Sequence, residues 1–362
     1  FMQLAGVTGV ILVTAECLRS MEDIRRVLRA LTWAGAFCGI VAAMQYRLRM
    51  DITPYLRWVL PGFSLNQVAS GNAEIVLRGS LNRAFGTAAD AIELGVSAGM
   101  LLPLAVYMAM YDTKRSAFSR WFPVIAIAVA ATASVSRSAI LAICVSMGVL
   151  VVSMRPAQRV KALAAMPLAI AVIFVSSHGL ISTLKSFVLA GTGDPSVAHR
   201  VNNYPLVGRL VAQSPWFGQG GGTYIAKSAV YILDNQYLTT AIELGLVGTA
   251  VLLFYLAWPA ITALVARKRT NDPEIRDLCG ALAGASLAAT VCSATFDALS
   301  FPMFVSLQAL VIGLTGAVWL IVDRERKATQ SLTGRTFDRS IENAVKRPTR
   351  AGVSVAGPAG GN

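Results

Sequence analysis

Long apolar runs separated by short polar breaks dominate this chain. Nine of them stand out, at residues 1–15, 30–46, 88–111, 121–135, 139–154, 162–179, 237–266, 277–298 and 302–322. Most approach the ~20 residues with which a helix crosses a ~30 Å hydrocarbon core. The pattern predicts an all-α, polytopic transmembrane helical bundle. One stretch needs dividing. As a single helix, 121–154 would be about 50 Å long at ~1.5 Å per residue, too long for the core. Its only polar break, Ser134-Val135-Ser136-Arg137-Ser138, makes it two short helices joined by a tight turn.

Two long loops interrupt the spans, at 47–87 and 180–235. Connections beyond ~12–15 residues are uncommon unless functional or disordered. The second loop carries Pro, Gly and Trp and is expected to be an ordered cap between two late spans. The organisation is then a membrane domain over 1–322, loops included, and a basic tail over 323–362, expected to be cytoplasmic and disordered. The chain begins at Phe1, inside an apolar run and without a charged leader, which reads as a truncated start rather than a signal peptide.

Charge supports this topology. Basic groups fall at Arg19, Arg25, Arg26 and Arg29; Lys114, Arg115 and Arg120; Arg155, Arg159 and Lys161; Arg267, Lys268 and Arg269; and Arg324, Arg326 and Lys327. Alternating spans put all five groups on one side, which is then the cytoplasm. The same clustering accounts for the net charge of +13 over 362 residues, so the basic balance does not imply nucleic acid; no basic stripe is interleaved with exposed aromatics. The five cysteines (Cys17, Cys38, Cys144, Cys279 and Cys292) lie in or beside apolar runs without paired spacing or histidine neighbours, as small packing residues.

The opposite side holds the residues that can do chemistry. A basic set (Arg78, Arg83, Arg137, Arg200, Arg209, Lys185 and Lys227) faces an acidic set (Asp90, Glu93, Asp234, Glu243 and Asp297). Outer loops are normally poor in arginine, and guanidinium grips phosphate bidentately. Several outer arginines beside lipid suggest a lipid-linked phosphate or pyrophosphate. Arg137 reads either as a phosphate clamp or as a snorkelling interfacial arginine. Arg83 divides the same way, Arg200 reads as a phosphate-binding residue or a surface loop residue, and His199 reads as a loop residue or an acid–base group. Asp234 precedes a helix and suits an N-cap, which does not prevent it from facing a site. Gln236, Thr240 and Glu243 share one helix face, with Glu243 about two turns into the span, where carboxylates are costly. Asp90 and Glu93 are explained by a helix N-terminus. Gly218, Gly220, Gly221 and Gly222 are not followed by Lys-Ser/Thr, so they do not form a P-loop.

Four elements together resemble the O-antigen ligase and polymerase superfamily. They are Pro215-Trp216-Phe217-Gly218-Gln219-Gly220; Asp234-Asn235-Gln236-Tyr237-Leu238 with Glu243-Leu244-Gly245-Leu246-Val247-Gly248; the Ser136-Arg137-Ser138 turn; and Arg83-Ala84-Phe85-Gly86-Thr87 before a span. The resemblance implies a membrane glycosyltransferase of the lipid-carrier type. Such enzymes move an oligosaccharide from undecaprenyl pyrophosphate to a hydroxyl acceptor, a glycan or a lipid, at the outer face of the cytoplasmic membrane, using neither cofactor nor metal. Carried over, it gives Arg137 and Arg200 to the pyrophosphate and Asp234 to the acceptor hydroxyl. Arg83, Arg209, Asn235, Tyr237 and Glu243 are further binding candidates. Ligases of the family place a histidine where this chain has Asp234, which favours the polymerase branch. The competing class is a transporter or flippase for a lipid-linked or amphipathic substrate. No internal repeat supports it, and the polar residues crowd one face.

Overall fold

A computed structural model describes residues 2–53, 55, 77–78, 81–160, 163–164, 195–224 and 233–345. The expected span 162–179 lies outside these but for two residues, and so does most of each long loop. The described chain is helical: α1 (Met2–Cys17), α2 (Met21–Leu48), α3 (Ala91–Tyr111), α4 (Ala117–Ala133), α5 (Arg137–Ser153), α6 (Pro195–Gln213), α7 (Gln236–Arg269), α8 (Pro273–Cys292) and α9 (Pro302–Val345). A two-residue antiparallel pair, β1 (Leu77–Arg78) with β2 (Leu81–Asn82), lies in the first long loop. Helices α2, α3, α7, α8 and the Pro302–Ala328 part of α9 are long and apolar enough to cross a membrane, and shorter apolar helices cover Leu4–Cys17, α4 and α5. The chain is a multi-pass helical bundle. The 121–154 stretch divides where its length requires, with α4 and α5 meeting at Ser134–Ser136; both pack on α3 and hardly on one another.

Small residues set the packing. Helix α5 lies between α3 and α8. A Cβ added at Gly95 would come within 2.6 Å of Ala139 Cβ, and one at Gly99 within 2.5 Å of Ala142 Cβ. On the other flank, Gly284 abuts the Ser146 carbonyl and Gly280 the Ser153 side chain. Where lipid is as apolar as the side chains, close backbone approach supplies the dispersion and interhelical hydrogen bonding that hold helices together. Ser146 Oγ accordingly donates to Gly99 O across the α5–α3 seam (2.7 Å). Helix α7 packs on the far side of α8, and α2 with α4 on the far side of α3.

The basic groups gather at one end. Arg25 pairs with Glu274 (2.6 Å) and Arg29 with Asp112 (2.9 Å). Tyr111 donates to Asp277 (2.5 Å), and Arg267 donates to the Ser153 carbonyl. These bonds join the first four basic groups of the sequence at a single end of the bundle, as the alternating topology demands. Arg269 adds a contact over the Trp319 ring, 4.4 Å from its centroid.

Helix α9 does not stop at residue 322 but runs to Val345, and Val322–Asn362 forms a second compact unit. Extending an existing helix avoids the nucleation cost, and an Asp323–Lys327 pair (2.7 Å) at i, i+4 supports the polar continuation. Residues 346–362 lie outside the described part.

Gly284→Val tests the seam, because its Cβ meets Ser146 backbone that cannot move aside. Overpacking of this kind costs about 1–3 kcal/mol, so the melting temperature in detergent should fall clearly. Gly148→Val, at a glycine with open space around it, should leave it nearly unchanged.

Candidate functional site

At the end opposite the basic groups, the Arg83–Thr87 segment is held by one buried side chain. Gln45 accepts from the backbone N–H of Phe85 (3.1 Å) and Gly86 (2.7 Å) and donates back to Gly86 O (3.0 Å). Gly86, at φ +62°, sits against Leu94 and the Cys38 carbonyl, which explains the glycine there. The segment in turn braces the α4–α5 turn. Ala84 N–H donates to Ala133 O (3.0 Å), and Arg83 Nε donates to Ser134 O (3.3 Å). Arg83 Nη2 also lies 3.7 Å from Asp90. That turn is strained: Val135, buried and β-branched, holds φ +46°, a conformation such residues rarely adopt and one that clusters at functional sites. Arg137 follows as the first residue of α5, half-buried. Ser136 makes no side-chain bond to cap this helix, so the helix start remains suited to an anion.

The second half of the site is a broken helix. Gly245, at φ +69° and ψ −165°, divides α7 into arms 236–244 and 246–269. That backbone region is essentially reserved for glycine. The break leaves the carbonyls of Ile242 and Glu243 and the N–H groups of Leu246 and Val247 without helical partners. All four are taken by the loop over 215–220. Gln219 N–H donates to Ile242 O (3.0 Å) and Gly220 N–H to Glu243 O (2.8 Å), while Leu246 N–H donates to Pro215 O (2.8 Å) and Val247 N–H to Trp216 O (3.2 Å). The two backbones touch. A Cβ on Gly218 would fall on the Glu243 carbonyl, and one on Gly245 would fall on the Trp216 carbonyl. This is the physical content of the two glycine-containing motifs: each supplies the glycine that lets the other strand approach. Helix α6 packs along the short arm through Val207, Leu210 and Val211, against Leu233, Leu238 and Ile242.

The break separates Glu243 from the arm that follows it. The 246–269 arm, about 36 Å at ~1.5 Å per residue, is long enough to cross a membrane on its own. Glu243 ends the separate short arm, half-buried, and its Oε1 accepts from Tyr224 N–H (3.4 Å). Capping is also reassigned. Asn235, not Asp234, caps α7, accepting from Tyr237 N–H (3.0 Å) and Leu238 N–H (3.4 Å). Asp234 is left exposed between this cap and the buried Leu233. Asp297, in the turn between α8 and α9, completes an acidic trio. Burial pushes its carboxyl above the ordinary carboxylate range; the Ser300 hydroxyl, which donates to it, opposes this, and the Glu243 and Asp234 charges add to the rise. Asp297 belongs to the acidic set of the sequence, but only the fold shows it facing the other two.

The end of α8 joins both halves. Cys292 Sγ donates to Ser138 O (3.5 Å) beside Arg137. Gln236 N–H donates to Ser293 O (2.9 Å) and Phe296 O (3.1 Å) beside Asp234, and Gln236 Oε1 accepts from Leu299 N–H (2.7 Å). Gln236 Nε2 donates to Thr240 Oγ1 (3.1 Å), in keeping with their shared face. The other candidates divide. Arg200 lies in α6, its side chain outside the described residues, and Arg209 is exposed on the same helix. Asn235 is occupied as the cap, and the Tyr237 hydroxyl donates to Thr290 O (2.6 Å), so both shape the site through the scaffold. Asp90 caps α3. Buried Glu93 accepts from Ala89 N–H (2.7 Å), Met303 N–H (2.7 Å) and Phe304 N–H (3.2 Å), capping the starts of α3 and α9 together. Trp216 and Phe217 are exposed beside the break, with Leu244, Leu246 and Val247 around them. Among the described residues, no three His, Cys, Asp or Glu side chains stand close enough to hold a metal ion.

Residues 122–253 match the model of a family described as O-Antigen ligase. The matched segment runs from α4 into the long arm of α7 and contains the strained turn, α6, the loop and the helix break. It therefore falls on the superfamily that the motifs resemble. No curated protein matches the chain.

Two predictions follow from the geometry. Gly245→Ala should free the 215–220 loop, so that chymotrypsin cuts faster after the exposed Trp216 and Phe217 than in the unaltered protein; equal rates would show that the backbone bridge does not hold the loop. Asp297→Asn removes a carboxyl whose ionisation folding opposes. A raised carboxylate pKa means that the folded state retains its proton longer than the unfolded state, so the group costs stability once pH exceeds the ordinary carboxylate value. The variant should melt higher than the unaltered protein at pH 7, with the gap closing as pH falls toward 4.

Proposed function

From the O-antigen ligase match over residues 122–253, we propose that this membrane protein is a lipid-carrier glycosyltransferase of surface polysaccharide assembly, acting at the outer face of the bacterial cytoplasmic membrane. The family match and the multi-pass bundle support a glycosyltransferase role in general. The observation that carries the finer reading is the exposed Asp234. It is released from capping by Asn235 and held at the bundle end where Arg83 and the Arg137 turn also lie.

In the proposed reaction the acceptor hydroxyl oxygen attacks the anomeric carbon of the donor sugar. A new glycosidic C–O bond forms as the bond to the pyrophosphate oxygen breaks, inverting that carbon. The electron pair departs with undecaprenyl pyrophosphate, and the hydroxyl proton passes to the Asp234 carboxylate. Arg137 and Arg200 hold the pyrophosphate and stabilise the charge that grows on it. Arg83 positions the Arg137 turn through the Ser134 carbonyl. Glu243 and Asp297 are the acidic neighbours of Asp234 at this site. Arg209 offers a further contact to the phosphates or glycan. Aspartate in place of the histidine of ligases favours polymerisation onto a glycan acceptor.

Purified protein in liposomes, given an undecaprenyl-pyrophosphate oligosaccharide and no nucleotide sugar, should yield a product ladder. Asp234→Ala should reduce the rate ~100-fold or more, as expected for loss of a general base. Arg137→Ala should do likewise, and Arg137→Lys should not rescue, because an ammonium cannot grip phosphate bidentately. A single transfer to an added acceptor would mark a ligase. Movement of the lipid-linked sugar across the bilayer without any product would replace this reading with transport.

A further inference from the structure

At the basic end, opposite the candidate site, a cavity of ≈ 280 Å³ opens where three helix ends meet. Ser153 and Arg155 reach it from the end of α5, Arg267 from the end of α7, and Asn271, Arg276 and Asp277 from the start of α8. Three guanidinium groups thus face one carboxylate, and that carboxylate is buried and already accepts from the Tyr111 hydroxyl (2.5 Å). A neighbouring cavity lined by Arg29, Asp112, Arg115 and Arg120 holds the same numbers of guanidinium and carboxylate groups, but its charges are better satisfied. Elsewhere at this end Arg25 and Arg29 are paired with Glu274 and Asp112, Arg120 donates twice to Ala109 O, and Arg159 is spent on the carbonyls of Val151 and Val152. Among the described residues, Arg155, Arg267 and Arg276 form no ion pair. Arg267 donates through Nη2 to the Ser153 carbonyl, while its Nε is buried with no acceptor.

A buried guanidinium N–H without an acceptor is costly, and three unpaired cations around one void repel each other. An anion removes both costs. Phosphate suits the set best, because it presents several oxygens to several forks at once, where a carboxylate presents two. We propose that this cavity is a second anion site, which binds a phosphate group borne by an anionic lipid headgroup or free in solution. Bound there, the phosphate ties the ends of α5, α7 and α8 together directly below the Gly280–Ser153 contact. The site lies at the other end of the bundle from the acceptor carboxylate and does not depend on the activity proposed above.

The test reads melting temperature of the purified protein in neutral detergent. Additions are phosphatidylglycerol, zwitterionic phosphatidylcholine, or inorganic phosphate at matched ionic strength. The unaltered protein should gain several degrees with an anionic phosphate and little with phosphatidylcholine, since a ligand that binds only the folded state stabilises it. The gain should vanish in Arg155→Gln/Arg276→Gln. It should persist in Arg19→Gln/Arg26→Gln, which removes the same charge from exposed positions at the same end. Should the first double variant fold poorly, the single Arg155→Gln, at an exposed residue, must still reduce the gain. A gain with phosphatidylglycerol alone assigns the site to a lipid headgroup, and one with inorganic phosphate as well assigns it to a soluble anion. No gain with either, or equal gains in both double variants, overturns the proposal.

Discussion

A helix broken at Gly245 leaves two carbonyls and two N–H groups without partners, in a protein whose surroundings offer little water to satisfy them. Each such group costs several kcal/mol in hydrocarbon. The 215–220 loop meets all four, and the position of the loop follows from that bridge. So does the place of Glu243, the end of the arm on which α6 lies, and the exposure of Trp216 and Phe217. The two glycines are the condition for this arrangement, because any Cβ at Gly218 or Gly245 would occupy the backbone of the other segment.

The remainder of the molecule holds two ends apart in a fixed relation. Glycine, alanine and serine along α3, α5 and α8 let these helices run in contact over their length. The end of α8 is then fixed against the start of α5 through Ser138 and against the start of α7 through Gln236. The arginine turn and the exposed aspartate come from segments about a hundred residues apart, yet they share a neighbour. The strain stored at Val135 is borne by bonds from Arg83 and Ala84, so the first long loop contributes to the site even where its side chains do not face it.

The sequence made the bundle readable because apolar runs and basic loops obey independent rules that agree. Length required 121–154 to divide, and its one polar break gave the place. Other features had weaker signals. A lone glycine in an apolar helix is often tolerated, so Gly245 did not read as a break; two glycine-containing motifs in adjacent segments were the available clue. Asp234 and Asn235 are equally good caps, and only the backbone shows which of them is engaged. Gln45 carries no signal of its own inside an apolar run, although it clamps the Arg83–Thr87 segment. Asp297 is a single carboxylate between two spans, and its relation to Asp234 is purely tertiary. The end of α9 had no signal either, since sequence composition does not reveal that a helix continues beyond its apolar span.

The order in which the chain is made gives the broken helix another meaning. Residues 215–220 leave the ribosome before the helix they complete. Helix α7 then enters with four unsatisfied backbone groups, and its lowest-energy refuge is the loop already waiting there. The loop is made just ahead of the arm it bonds, so the bridge can close as α7 folds, without waiting for the later helices.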